Sequence, residues 1–207
     1  IFIDIQILSY SGGKLHIPYV NTNKGVELIR EAKKRNLDIT ASTSLAHVTF
    51  SDKDIANFNT NLKIIPPLRS EIDSKSIKEA LVDGTIDYLT SMHEPIDIDN
   101  KKVVFDLATP GSIGLESVFG IMCNNFTLEK TIDILTRNKS IFEIEDHPIK
   151  IGSHADLTLF NPDKSYKFSE EHILSTSKNC AFISTKMKGI VYGSINNNNS
   201  TLNKLWI

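Results

Sequence analysis

The chain has 207 residues, a formal net charge of −2, and 40% hydrophobic against 23% charged residues. That is the make-up of an ordinary soluble globular protein, large enough for one domain or a domain with an appendage. The near-neutral balance gives no electrostatic case for nucleic acid or an anionic membrane as partner, and no apolar run is long enough to span a bilayer.

No signal peptide is visible. The two cysteines, Cys123 and Cys180, have neither metal-motif nor disulfide-framework spacing and read as free thiols in a reducing cytoplasm. The chain opens on Ile1-Phe2-Ile3-Asp4-Ile5-Gln6-Ile7-Leu8 with no Met and no polar lead-in. That reads as an element entered midway, cut from something longer. Residues 1–10 fit either a helix or a strand.

Ser11-Gly12-Gly13 is a turn, and 14–20 a short strand weakened by Pro18. Asn21-Thr22-Asn23 can cap a helix to about Arg35, with Val26, Leu28, Ile29 and Ala32 as its buried stripe. A strand over 37–43 follows, and 44–50 carries His47 off its end. Residues 52–58 form a short helical turn. Pro66-Pro67 forbids helix and interior strand in the irregular stretch 59–69. Asp73 is expected to cap a helix over 74–82, with Ile77, Ala80 and Leu81 inward. Asp83-Gly84 then turns the chain into a strand over 85–90. This strand delivers Met92 and His93 into a long loop running to Gly114. Helical patterns return over 114–124, 128–137 and 139–144.

After His147-Pro148 the character changes to β: a turn, strand and turn over 152–162, β-like segments at 166–168 and 188–195, and a loose surface turn in the Asn196–Asn199 run. The expected division is 1–147 as an α/β portion and 148–207 as a small β segment. Strand and helix alternate over 14–136, which argues for parallel βα units. Three such units leave sheet edges exposed, imply further strands, and predict an oligomeric or poorly soluble isolated chain.

Parallel strands align their C-terminal ends, so His47 and His93 could converge on one cleft, where neutral imidazole is a ready zinc ligand. Either could equally be a structural hydrogen bonder. His16 lies mid-strand, on the face opposite Tyr19. His147 and His154 read as surface or turn residues. Glu94, Asp97 and Asp99 suit acid–base work or a solvated loop. Arg69 could hold a carboxylate or pair with Glu71 or Asp73.

Six ordered segments carry a family resemblance: Leu15-His16-Ile17-Pro18-Tyr19-Val20-Asn21-Thr22, Ser44-Leu45-Ala46-His47-Val48, Asn61 through Pro66-Pro67-Leu68-Arg69, Asp83-Gly84-Thr85-Ile86-Asp87, Gly111-Ser112-Ile113-Gly114-Leu115-Glu116, and Ile151-Gly152-Ser153-His154-Ala155-Asp156-Leu157. In this order they resemble the C-terminal half or more of dihydroorotases, in the cyclic amidohydrolase family. The resemblance implies an α/β fold: the C-terminal part of a (β/α)8 TIM-like barrel with a small C-terminal β domain. It also implies pyrimidine biosynthesis, and one or two zinc ions that activate water to open the dihydroorotate ring.

By the same resemblance, Tyr19 stands at a zinc-ligand position and Met92 at that of the general base. Ile65 and Ile96 replace substrate-contacting residues. His47 keeps a metal-ligand identity, with His93 as a possible recruit, and Pro110-Gly111 keeps the substrate loop. A thioether cannot take a proton from zinc-bound water, and one His cannot hold catalytic zinc, which needs about three protein ligands. The expected function is therefore a degraded dihydroorotase: a scaffold or partner that forms a homodimer or pairs with a pyrimidine-pathway paralogue. The alternatives are an active amidohydrolase with a rearranged site and a binding module for a small cyclic ureide.

Overall fold

A computed structural model of the chain describes residues 1–145 and 148–203. His147, expected at the surface, lies outside the described residues. Helix α1 (Phe2–Ser11) opens the chain. Ile5 and Leu8 are buried, whereas Phe2, Ile3, Ile7 and Tyr10 are exposed. Apolar residues on every side of this helix are why its period could not be told from a strand's. Strand β1 (Leu15–Ile17) is shorter than expected, because Pro18 has no N–H for a ladder and Tyr19 turns left-handed with φ 51°.

Helix α2 (Asn23–Lys34) starts where Thr22, in extended conformation, accepts a hydrogen bond from the Gly25 N–H at 3.0 Å. Such a cap contributes about 1 kcal/mol. Val26, Ile29 and Ala32 are buried as the spacing predicts, and Leu28 is half-buried. Strand β2 (Ile39–Ser44) runs directly into the short helix α3 (Leu45–Thr49), capped by the Ser44 side chain. Helix α4 (Glu71–Asp83) begins a turn earlier than expected, because Ser70 is the cap. Asp73 is instead a tie between elements: its carboxylate accepts from the Ser70 hydroxyl at 2.6 Å and from the Asn23 N–H at 2.8 Å. Strand β3 (Tyr88–Thr90) follows. Then come a 3-10 turn at Leu115–Ser117 and the helices α5 (Val118–Asn125) and α6 (Leu128–Thr136).

Strands β1, β2 and β3 lie side by side and parallel, with His16 opposite Thr40 and Ser42 opposite Tyr88. Side chains alternate along a strand, so this register sorts the sheet into two faces. Leu15, Ile17, Ile39, Ala41 and Leu89 share one face and join the core with α2 and α4. The other face is polar. His16 sits on it between Thr40 Oγ1 (2.9 Å), Ser42 Oγ (3.1 Å) and the Tyr88 hydroxyl (3.0 Å), and stacks on the Tyr88 ring. This is the lumen side of a partial barrel, and polar side chains replace the branched apolar layers usual there.

The second sheet is antiparallel, built from β4 (Asp156–Lys167), β5 (Lys186–Asn196) and β6 (Asn199–Leu202). Strand β4 passes through Asn161-Pro162 where a turn was expected. It absorbs the proline with register shifts after Leu159 and between Asn161 and Ser165, as bulged edge strands do. The Asn run is a tight hairpin: Asn196 pairs with Asn199, and Asn197 has φ 51°. The two sheets are joined through α5 packed on β5 and through a parallel bridge from Ile113 to Cys180.

Candidate functional site

The C-terminal ends of β1, β2 and β3 deliver Tyr19, Ser44 with His47, and Met92 with His93. Tyr19 and Met92 both have left-handed backbones, at φ 51° and 50°. Left-handed bulky residues store strain, and such strain gathers at functional positions. The Met92 side chain is only 5% exposed and lies in the hydrophobic core, against which Tyr19 is also packed. Behind Met92 the chain is crowded: a Cβ added at Gly114 would lie 2.5 Å from the Ser91 carbonyl oxygen. Only glycine allows that approach.

His47 is buried, and both ring nitrogens are in use. Nε2 faces the Pro66 carbonyl at 2.8 Å, and a carbonyl only accepts, so Nε2 carries the proton. Nδ1 then accepts from the Ser44 hydroxyl at 2.8 Å. Burial pushes the imidazole below its ordinary pKa; the Pro66 bond opposes this and the Arg69 charge adds to it. His47 is therefore neutral at pH 7, and in this arrangement it pins the double-proline segment to α3. His93 is committed elsewhere: its Nδ1 accepts from the Leu115 N–H at 3.3 Å, and its Nε2 faces the Ser175 hydroxyl at 3.4 Å. Ser175 in turn donates to the Glu116 carboxylate at 2.5 Å and 2.8 Å, through its hydroxyl and its N–H. Burial works to raise the Glu116 pKa, but these bonds outweigh it and hold the carboxyl below its usual range.

The loop positions 96 and 110–111 do come together. A Cβ at Gly111 (φ 137°) would meet Ile96 Cγ1 at 2.9 Å and Glu94 Cβ at 3.2 Å. Gly111 spends its N–H on the Lys63 carbonyl (2.8 Å) and its own carbonyl on Asn179 Nδ2 (3.2 Å). Pro110 beside it is half-buried. Ile65 stands apart, 64% exposed. Arg69 is exposed, near enough to Asp73 to favour its ionised form. Of the acidic loop residues, Asp97 and Asp99 are exposed; Glu94 is half-buried, and burial raises its pKa against the pull of Lys101.

No protein-family model matches the chain. Among curated proteins it is 39% identical over 194 residues to a dihydroorotase of Endomicrobium trichonymphae, covering 90% of this chain and 46% of that protein. It is 35% identical over 195 residues to a dihydroorotase of Caldanaerobacter subterraneus subsp. tengcongensis, covering 91% and 45%. The chain is similar to dihydroorotases over about nine-tenths of its own length. It spans about half the length of the curated relatives it matches. Its fold is that of solved amidohydrolases. The L-hydantoinase (dihydropyrimidinase) from Arthrobacter aurescens superposes with a TM-score of 0.85 at 21% identity, covering 97% of this chain and 47% of that one. The inactive dihydroorotase-like domain of the Chaetomium thermophilum CAD-like multifunctional protein superposes at 0.67 with 17% identity, covering 95% and 53%.

The resemblance of the chain to zinc enzymes can be tested on its donor set. Among the described residues no group of three or more His, Cys, Asp or Glu could hold a metal ion. The two imidazoles at the strand ends have their nitrogens turned to protein partners. The described residues by themselves thus do not supply the set of about three protein ligands that a catalytic zinc needs.

Two residues of this region were not legible beforehand. Asn179 is 2% exposed and bonds both mouth loops. Lys101 is 3% exposed and donates to the Thr60 carbonyl at 2.8 Å, while the Thr60 hydroxyl donates back to the Lys101 carbonyl at 2.9 Å. Burial, with the Lys63 charge adding to it, pushes the Lys101 pKa down to about 8. In the unfolded chain a lysine titrates near about 10.4. Between these values the unfolded state binds more protons, so stability rises with pH across that window. Wild-type protein should therefore gain stability relative to Lys101→Met between pH 8 and pH 10. Urea denaturation of both proteins at pH 7, 8, 9 and 10 checks this. Parallel curves would show that Lys101 is not buried as charge.

Proposed function

We propose that this dihydroorotase-type chain keeps the cyclic amidohydrolase fold without a working hydrolytic centre, and acts as a scaffold or partner. The observation that carries the reading is Met92. It occupies the strand tip where ring opening needs a carboxylate, and it is packed as a core residue with a strained backbone. Losing a general acid or base typically costs about 10²- to 10⁴-fold in rate. His47, with both nitrogens engaged, supports the same reading. The partner we propose is a second copy or a pyrimidine-pathway paralogue set against the unpaired edges of β1 and β3; any retained ligand would be a small cyclic ureide.

The test is metal analysis and dihydroorotate turnover on the purified protein. The expected result is zinc well below one equivalent and no turnover above background. Stoichiometric zinc together with turnover that His47→Ala abolishes would overturn the proposal, in favour of an active enzyme with a rearranged site.

A further inference from the structure

Ser175 to Ala181 runs across the ends of both mouth loops, and four of its residues, Ser175, Ser177, Asn179 and Ala181, make polar contacts there. Ser175 ties to Glu116 and His93. The Ser177 hydroxyl lies 2.6 Å from the Ile96 carbonyl oxygen and 2.5 Å from Asn179 Oδ1, so its single proton is shared between the two acceptors. Asn179 Nδ2 donates to the Glu94 carbonyl (2.9 Å) and the Gly111 carbonyl (3.2 Å). Asn179 Oδ1 accepts from the Ile96 N–H (3.1 Å), and its own carbonyl accepts from the Ile113 N–H (3.0 Å). The Ala181 N–H donates to Ser112 Oγ at 2.9 Å. Lys178 points its ammonium back along the run, to the Ile173 and Ser175 carbonyls.

One buried amide therefore satisfies three backbone groups on two loops whose direct link is a single backbone bond, from the Glu94 N–H to the Ser112 carbonyl at 3.0 Å. An unmet polar group at this depth is unfavourable, so the loops and the run stand or loosen together. We propose that 175–181 is a strap that sets the spacing of the two mouth loops, with Asn179 as its positioning residue. This rests on reading 92–96 and 110–114 as the mouth of the site. It goes beyond that reading by placing control of the mouth in the C-terminal segment. The spacing of Ile96 from Gly111, and with it the shape any ligand meets, follows from the Asn179 side chain.

Amide hydrogen exchange on the full chain tests the proposal without any need for activity, so its failure is distinct from failure of the functional reading. Asn179→Asp keeps the oxygen that accepts from Ile96 but loses the N–H donors to Glu94 and Gly111, and sets a carboxylate oxygen against their carbonyls. Exchange at the Glu94 and Gly111 amides should quicken by about tenfold or more, while the Ile96 amide and the β2 amides change far less. Ser177→Ala removes the hydroxyl at the Ile96 carbonyl and Asn179 Oδ1 but keeps both Asn179 N–H donors, so the Glu94 and Gly111 amides should exchange as in wild type; it also serves if Asn179→Asp does not fold. Uniform loss of protection along the chain in Asn179→Asp would overturn the proposal. So would unchanged Glu94 and Gly111 amides in that variant, or Ser177→Ala quickening those two amides by about tenfold or more.

Discussion

Replacing Met92 by Asp, which puts a carboxylate at the strand tip, should destabilise the protein by about 3–5 kcal/mol at pH 7. That is the usual consequence of leaving a charge buried without a partner. Met92 is 5% exposed among apolar neighbours, and His93 next to it is already held by Leu115 and Ser175. The new carboxyl would have its folded-state pKa raised by burial. The penalty is then absent below the unfolded value of about 3.9 and grows as pH rises through the folded one. Urea denaturation at pH 7 and pH 4 should show the deficit shrinking on acidification. Met92→Leu, which conserves volume, should cost less than about 1.5 kcal/mol. A Met92→Asp protein as stable as wild type at pH 7 would mean that the site still accommodates a carboxylate, and would weaken the case for a lost centre.

Asp87→Ala should cost about 2–4 kcal/mol. The Asp87 carboxylate accepts from the Lys33 ammonium at 2.8 Å through both oxygens and from the Ala41 N–H at 2.7 Å, while the Asp87 N–H donates to the Ala41 carbonyl at 2.9 Å. One residue thus fixes the register of β3 on β2 and ties α2 beneath both. The ion pair is mostly shielded, with side-chain exposures of 26% for Lys33 and 16% for Asp87, so it exceeds the worth of an exposed pair. Its loss leaves the Ala41 N–H unmet and the Lys33 ammonium with the Gly84 carbonyl at 3.1 Å in place of a counter-charge, which sets the estimate. A double-mutant cycle with Lys33→Met separates the ion pair from the Ala41 bond. A loss under about 1 kcal/mol would show that the register is held by packing alone.

Where local rules suffice, the sequence by itself determined the outcome. Thr22 and the 3.6-residue spacing of Val26, Ile29 and Ala32 located α2 to within two residues. Asp83-Gly84 marked the end of α4, where Gly84 is left-handed. The six family segments were legible, and with them a partial amidohydrolase barrel. Elsewhere, tertiary partners decided. Helix α1 is apolar on every side, so its type depended on what packs against Ile5 and Leu8. Ser70 took the cap because Asp73 was engaged by Asn23, fifty residues away. Strand β4 ran through Pro162 because β5 supplies a bulged ladder.

The site shows the same division. The family resemblance singles out Tyr19, Met92, Ile65 and Ile96 from the sequence alone. It could not show that His47 would spend Nε2 on the Pro66 carbonyl, or that Asn179 would bind carbonyls 68 and 85 residues upstream. A side chain's chemistry is local, but the use made of its donors and acceptors depends on which distant backbone groups the fold brings within hydrogen-bond reach. Spacing along the chain carries almost none of that information.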